Sequence, residues 1–157
     1  EAIPSIVDAY GLVESVEAAG EAVLSAAHWA PNAFCTVGSD DLAVMGWDHA
    51  SAMPTRWEFG GTLAAWSGGV LGQVNHAAAR AFVAGYADTH DVPEGLGLGI
   101  FSSAVCTSGS WLLSRIRIAL FNCDAEAREL ADRAVPWLLA EPPSRAYFQE
   151  VLAAAQR

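Results

Sequence analysis

Residues 33–60 read AFCTVGSDDLAVMGWDHASAMPTRWEFG. A short apolar run, 33–37, meets the turn-forming tetrad Gly38-Ser39-Asp40-Asp41. A second apolar run, Leu42 to Trp47, follows. Strand, turn and strand is the simple reading, with the tetrad at the tip of a hairpin. Pro54 then closes the extended stretch, and a helical pattern starts behind it. The hairpin decides the fold, because the rest of the chain reads as helix. The expected class is mainly α with a small β-hairpin, an α+β fold.

Upstream, residues 3–27 carry Ile6, Val7, Tyr10, Val13, Val16, Val23 and Leu24. That spacing is mostly helical, interrupted near Gly11 and Gly20. Downstream, helices are expected over 55–71, 74–90, 97–121, 125–140 and 145–156. Asp124 and Ser144 stand as N-caps of the last two. Pro136 falls inside a helical pattern and is expected to kink or split it. Trp57, Trp66, Trp111 and Trp137 fall on apolar helix faces and are expected in the core. The whole chain, 1–157, reads as one domain: a hairpin region over 25–66 and a helical tail over 67–157.

Composition narrows the partners. The chain is 53% hydrophobic and 17% charged, which suits a packed core and not a disordered chain. Eighteen acidic groups oppose eight basic ones, for a net charge of −10. All the basic residues are Arg. Such a surface repels phosphate backbones, so no nucleic-acid partner is expected. No apolar run reaches the roughly 18 residues that span a bilayer, so no membrane partner is expected either. Cys35, Cys106 and Cys123 are odd in number, with no CxxC spacing. They read as buried, inert thiols in a reducing cytoplasm, and neither a metal nor another cofactor is expected. Gly95 to Gly99 (GLGLG) lacks the spacing of a phosphate loop. The charges of ARELADR, 127–133, read as a solvated helix face.

The polar signal gathers at the hairpin's outer ends. Asn32 precedes the first strand, and Asp48 and His49 follow the second. A short hairpin brings those ends together. His28 and His49 are imidazoles able to act as general bases near neutral pH, and Asp48 can orient a ring. Trp29 and Trp47 flank the place and can wall an apolar pocket. The candidate catalytic residues are therefore His28, Asp48 and His49. The candidate ligand-binding residues are Trp29, Asn32 and Trp47. His76 and His90 fall on helical surface patterns and are expected to be solvated or capping.

Residues 25–66 resemble the C-terminal lobe of the aminoglycoside phosphotransferase and choline kinase-like family. That family has a loop of the form H-G-D-x-x-P-x-N, a hairpin, I-D-W-x-x-A, a Pro-led turn and W-D-L-A at a helix start. Here Ala30-Pro31-Asn32 resembles the loop's end and Val44 to Ala50 the metal motif. Pro54 to Phe59 (PTRWEF) resembles the turn and helix start. The resemblance implies a kinase-like lobe built for magnesium-dependent phosphoryl transfer. The chain departs from that pattern where the charge should be. The loop Asp falls on Ala27, with the family His on Ser25, or on His28 if one residue is deleted. No carboxylate lies between Glu21 and Asp40. The metal-binding Asp falls on Gly46, and the Asp of W-D-L-A becomes Glu58. There is no Lys to pair with a nucleotide's phosphates, and about 25 residues precede the loop.

Three functions follow. The first is a phosphotransferase-like relic, a pseudokinase that binds a small molecule or a partner protein, as in a specialised biosynthetic pathway. Its exposed cleft floor would be covered by a second copy or another chain. The second is a repurposed enzyme that uses His28, Asp48 and His49 for a cyclisation, elimination or hydrolysis. The third is a fragment of an active phosphotransferase. Whether the chain is an enzyme stays open at this point.

Overall fold

The structure, a computed structural model, describes residues 2–25, 34–37, 41–45, 47, 50–68, 73–140 and 144–156. It is mainly helical with small antiparallel sheets, an α+β arrangement.

The N-terminal region departs from the expected helix over 3–27. Helix α1 (Ala2–Tyr10) stops before Gly11, and α2 (Val16–Ala19) is a single turn. Ser15 caps it by accepting a hydrogen bond from the Ala18 N–H at 3.2 Å. Gly20 then turns the chain with φ of 87°, a left-handed conformation suited to glycine. Residues Ala22–Ser25 form strand β1 instead of more helix. The reason is a distant partner. Strand β4 (Ser51–Pro54) pairs antiparallel with β1, Ala22 opposite Pro54 and Ser25 opposite Ser51.

The hairpin lies between these strands. Strands β2 (Phe34–Val37) and β3 (Asp41–Val44) pair antiparallel, Phe34 opposite Val44 and Val37 opposite Asp41. Asp41 belongs to the strand and not to the turn. Residues 38–40 lie outside the described residues. The β2–β3 pair is thus nested inside the β1–β4 pair.

The helices follow the sequence closely. They are α3 (Thr55–Ser67), α4 (His76–Ala87), α5 (Ser102–Phe121), α6 (Ala125–Ala140) and α7 (Arg145–Ala155). A 3-10 turn, Leu98–Phe101, leads into α5. Asn75 and Ser144 cap α4 and α7 by accepting from the Ala78 and Tyr147 N–H groups. Asp124 accepts from the Glu126 N–H at 3.0 Å. Pro136 does not split α6, which runs unbroken to Ala140. Pro136 and Asp132 are both exposed, so water can satisfy the carbonyl that loses its helical partner.

The core forms where α3, α4, α7, the 3-10 turn and the start of α5 meet. Phe59, Leu63, Ile100, Phe101, Val105, Phe148 and Val151 are buried there. Phe101 stacks on Phe148 with centroids 4.7 Å apart, and Tyr86 meets Phe59 edge-on at 4.9 Å. Each such side chain contributes about 1.5–3 kcal/mol by leaving water. Gly60 lets α3 approach the Ile100 backbone so closely that a Cβ would collide with its carbonyl.

Three expectations for single residues need correcting. Trp66 and Trp111 are 37% and 45% exposed and lie outside the core. Trp66 meets Phe34 edge-on at 5.6 Å, and Trp111 lies under the Arg115 guanidinium. Trp57 is half-buried, and the side chain of Trp137 is outside the described residues. Cys123 is exposed, not buried, because it sits in the turn between α5 and α6. Cys106 is half-buried, and burial raises its thiol pKa. No helix among the described residues is long and apolar enough to cross a membrane.

Candidate functional site

The candidate site residues lie on the two segments that connect the strand pairs. Segment 26–33 leaves β1 at Ser25 and enters β2 at Phe34. Segment 45–50 leaves β3 at Val44 and enters β4 at Ser51. Ser25 pairs with Ser51, and Phe34 with Val44. Both segments therefore start and finish beside each other, at strand separations of roughly 5 Å. His28, Trp29 and Asn32 belong to the first segment; Trp47, Asp48 and His49 belong to the second.

Of these six residues, only Trp47 is described. His28, Trp29, Asn32, Asp48 and His49 lie outside the described residues, as does Gly46. The Trp47 Nε1–H donates to the Val44 carbonyl at 3.2 Å, and the Ala50 N–H donates to the Trp47 carbonyl at 3.0 Å. The indole ring is 51% exposed. It is tethered by its polar edge and offers an apolar face to the outside, as a pocket wall requires.

The surroundings are apolar and uncovered. Leu24, Leu42 and Met45 are 75%, 62% and 50% exposed. They come from β1, β3 and the residue after β3. Ser25, in contrast, is fully buried at the ladder's end.

Behind the ladder, a set of hydrogen bonds fixes the start of α3. The Thr55 N–H donates to the Glu21 carbonyl at 3.0 Å. The Trp57 Nε1–H donates to the Glu14 carboxylate at 3.0 Å, and the Glu14 N–H donates to Ser102 Oγ at 3.0 Å. The Ser103 hydroxyl donates to the Trp57 carbonyl at 2.6 Å. These bonds join the N-terminal segment, α3 and α5 into one rigid support. Nothing in the sequence singles out Glu14, because its partners Trp57 and Ser102 are remote in the chain. The strand at Ala22–Ser25 did have a signal, the interruption at Gly20. Arg56 donates to the Gly95 carbonyl at 3.0 Å, so the glycine-rich stretch serves to anchor α3. Glu58 is half-buried near Tyr86, whose hydroxyl pKa is raised first by burial and then by the Glu58 carboxylate.

The remaining histidines are on the surface, as expected. His76 Nε2 lies 2.9 Å from Glu150 Oε1 and is exposed. His90 Nδ1 lies 2.9 Å from Thr89 Oγ1, with its ring against Tyr86. The ARELADR charges are solvated too, with Glu129 and Arg133 paired at 3.4 Å.

Among the described residues, exposed Leu24, Leu42, Met45 and Trp47 offer apolar surface beside these segments. No protein-family model, no curated protein and no solved structure matches this chain.

Proposed function

We propose that the chain is a degenerate, kinase-like C-lobe of the aminoglycoside phosphotransferase and choline kinase-like kind. On this reading it no longer transfers phosphate, and it binds a small molecule or a partner protein at the ends of its hairpin. One observation carries the reading. Ser25 opposite Ser51 and Phe34 opposite Val44 bound the loop-like and metal-motif-like segments at both ends. The order of loop, hairpin, metal motif, Pro-led turn and helix start is the order of that family.

The chemistry argues against phosphoryl transfer. Such catalysis rests on positioning and on neutralising charge with metal and cations. Gly46 offers no side chain where the family has its metal carboxylate. Asn32, a single neutral oxygen donor, would hold Mg²⁺ weakly. The chain has no Lys. Exposed Leu24, Leu42, Met45 and Trp47 supply a surface that a greasy ligand, a second copy or another chain would cover.

Calorimetry with ATP–Mg²⁺ at millimolar concentration tests this. No saturable heat is expected. A saturable heat that Asn32→Ala abolishes would return the chain to the active phosphotransferases.

A further inference from the structure

Helix α6 and the second half of α5 form an arm beside the main core cluster. Among the described residues the main core cluster takes Ala104 and Val105 from α5, and Ala131, the buried apolar residue of α6, lies outside that cluster. Helix α6 packs along α5 and against no other element to a comparable extent. One face of the second half of α5 is thereby committed to α6. The other face is open.

That open face has a definite chemistry. Leu113, Leu120 and Phe121 are 60%, 64% and 80% exposed. Leu113, Arg117 and Leu120 recur at spacings of four and three, the seam of a helix that pairs with another helix. A groove of about 720 Å³ runs along this strip from Ser110 to Asn122, with Leu113, Arg117 and Phe121 in its lining. At 1.5 Å of rise per residue the strip spans roughly 16 Å, about three turns of helix. Among the described residues Arg117 has no ion pair, since the three pairs join other residues. Helix α5 contains no acidic residue.

We propose that this strip docks an acidic amphipathic helix of another protein. Its apolar side chains would cover Leu113, Leu120 and Phe121, and a carboxylate would sit opposite Arg117. The cation selects the partner. In a symmetric pairing of two α5 strips centred on this seam, Arg117 would face its own copy, and like charges across an apolar seam oppose association. A carboxylate there turns the same position into a charge-assisted contact. An inorganic or acyl anion would satisfy Arg117 but leave much of the apolar strip wet. The proposal is independent of the kinase-like reading, which concerns the hairpin surface.

The test uses the full chain and a fluorescein-labelled helical peptide of about three heptads. The peptide has leucine on its seam and a single central glutamate; a second peptide has lysine in that place. Fluorescence anisotropy is expected to show the glutamate peptide binding at least about tenfold tighter. Arg117→Glu is expected to reverse the preference, and Leu113→Ala with Phe121→Ala to abolish binding. All three positions are exposed, so circular dichroism should show the variants folded. No saturable binding, or equal affinity for the two peptides, overturns the proposal. So does a particle of twice the chain mass that Phe121→Asp dissociates, which would give the strip to a second copy. Saturable decanoate binding lost in Arg117→Ala, with neither peptide bound, would give it to a small amphiphile and equally overturns it.

Discussion

Ser25 and Ser51 stand opposite each other at the end of the β1–β4 ladder, and Ser25 is fully buried. Partners in an antiparallel pair have Cα atoms about 4.5–5.5 Å apart, within the range a disulfide spans. This one pairing brings together the two segments that carry the candidate site.

Ser25→Cys with Ser51→Cys, in a Cys123→Ser background, is therefore expected to form a disulfide on mild oxidation. Closing a loop of this size should stabilise the fold by about 3 kcal/mol. Thiol titration and peptide mass mapping read the bond, and thermal melts read the gain. Two free thiols at these positions in the folded, oxidised protein would disprove the register.

Two glycines in helices should respond to alanine with opposite signs. Gly85, in α4, has open space around it, so Gly85→Ala should stabilise by about 0.5–1 kcal/mol. Gly60 touches the Ile100 backbone, and Gly60→Ala should destabilise by about 1–3 kcal/mol as α3 is pushed off the 3-10 turn. Chemical denaturation of the two variants side by side checks both signs.

Tyr147 donates its hydroxyl to the Ala64 carbonyl at 3.0 Å. Its pKa is raised above 10, first by burial and then by the Glu150 carboxylate. A raised folded-state value means the stability is fully present below pH 10 and falls as pH rises above it. Tyr147→Phe should cost about 1 kcal/mol at neutral pH, where the hydrogen bond is lost. It should also remove Tyr147's share of the alkaline decline. Melting temperatures from pH 7 to 11 separate the two effects, and an unchanged slope above pH 10 would show that Tyr147 does not titrate this way.

Cys123 should react ahead of Cys106. Cys123 is exposed in the α5–α6 turn and should be modified first by a thiol reagent at neutral pH. Cys106 is half-buried with a raised pKa and should be slow until the protein unfolds. Cys123→Ser should delete the fast phase alone; a fast phase that survives would place another thiol at the surface.

The local elements are legible in the chain alone. Ser144 and Asp124 announce the starts of α7 and α6 because a cap is a local bond between neighbours in the chain. The β2–β3 hairpin was legible for the same reason, since its strands are joined by the turn-forming run after Val37. The fate of Ala22–Ser25 depends on a long-range partner. The interruption at Gly20 marks a break in the helix but does not name a strand, and the partners at Ser51–Pro54 are remote in sequence. Tertiary packing also decided which tryptophans are buried. Trp66 and Trp111 lie on helix faces that look apolar in sequence, but the core closes on Phe59 and Phe101 instead. The candidate site divides in the same way. Its residue types, His28, Asn32, Trp47 and Asp48 among them, are read from the chain. That their two segments meet at Phe34 and Val44 follows from the local hairpin, but that they meet again at Ser25 and Ser51 follows from the outer ladder, a long-range pairing that no local pattern encodes.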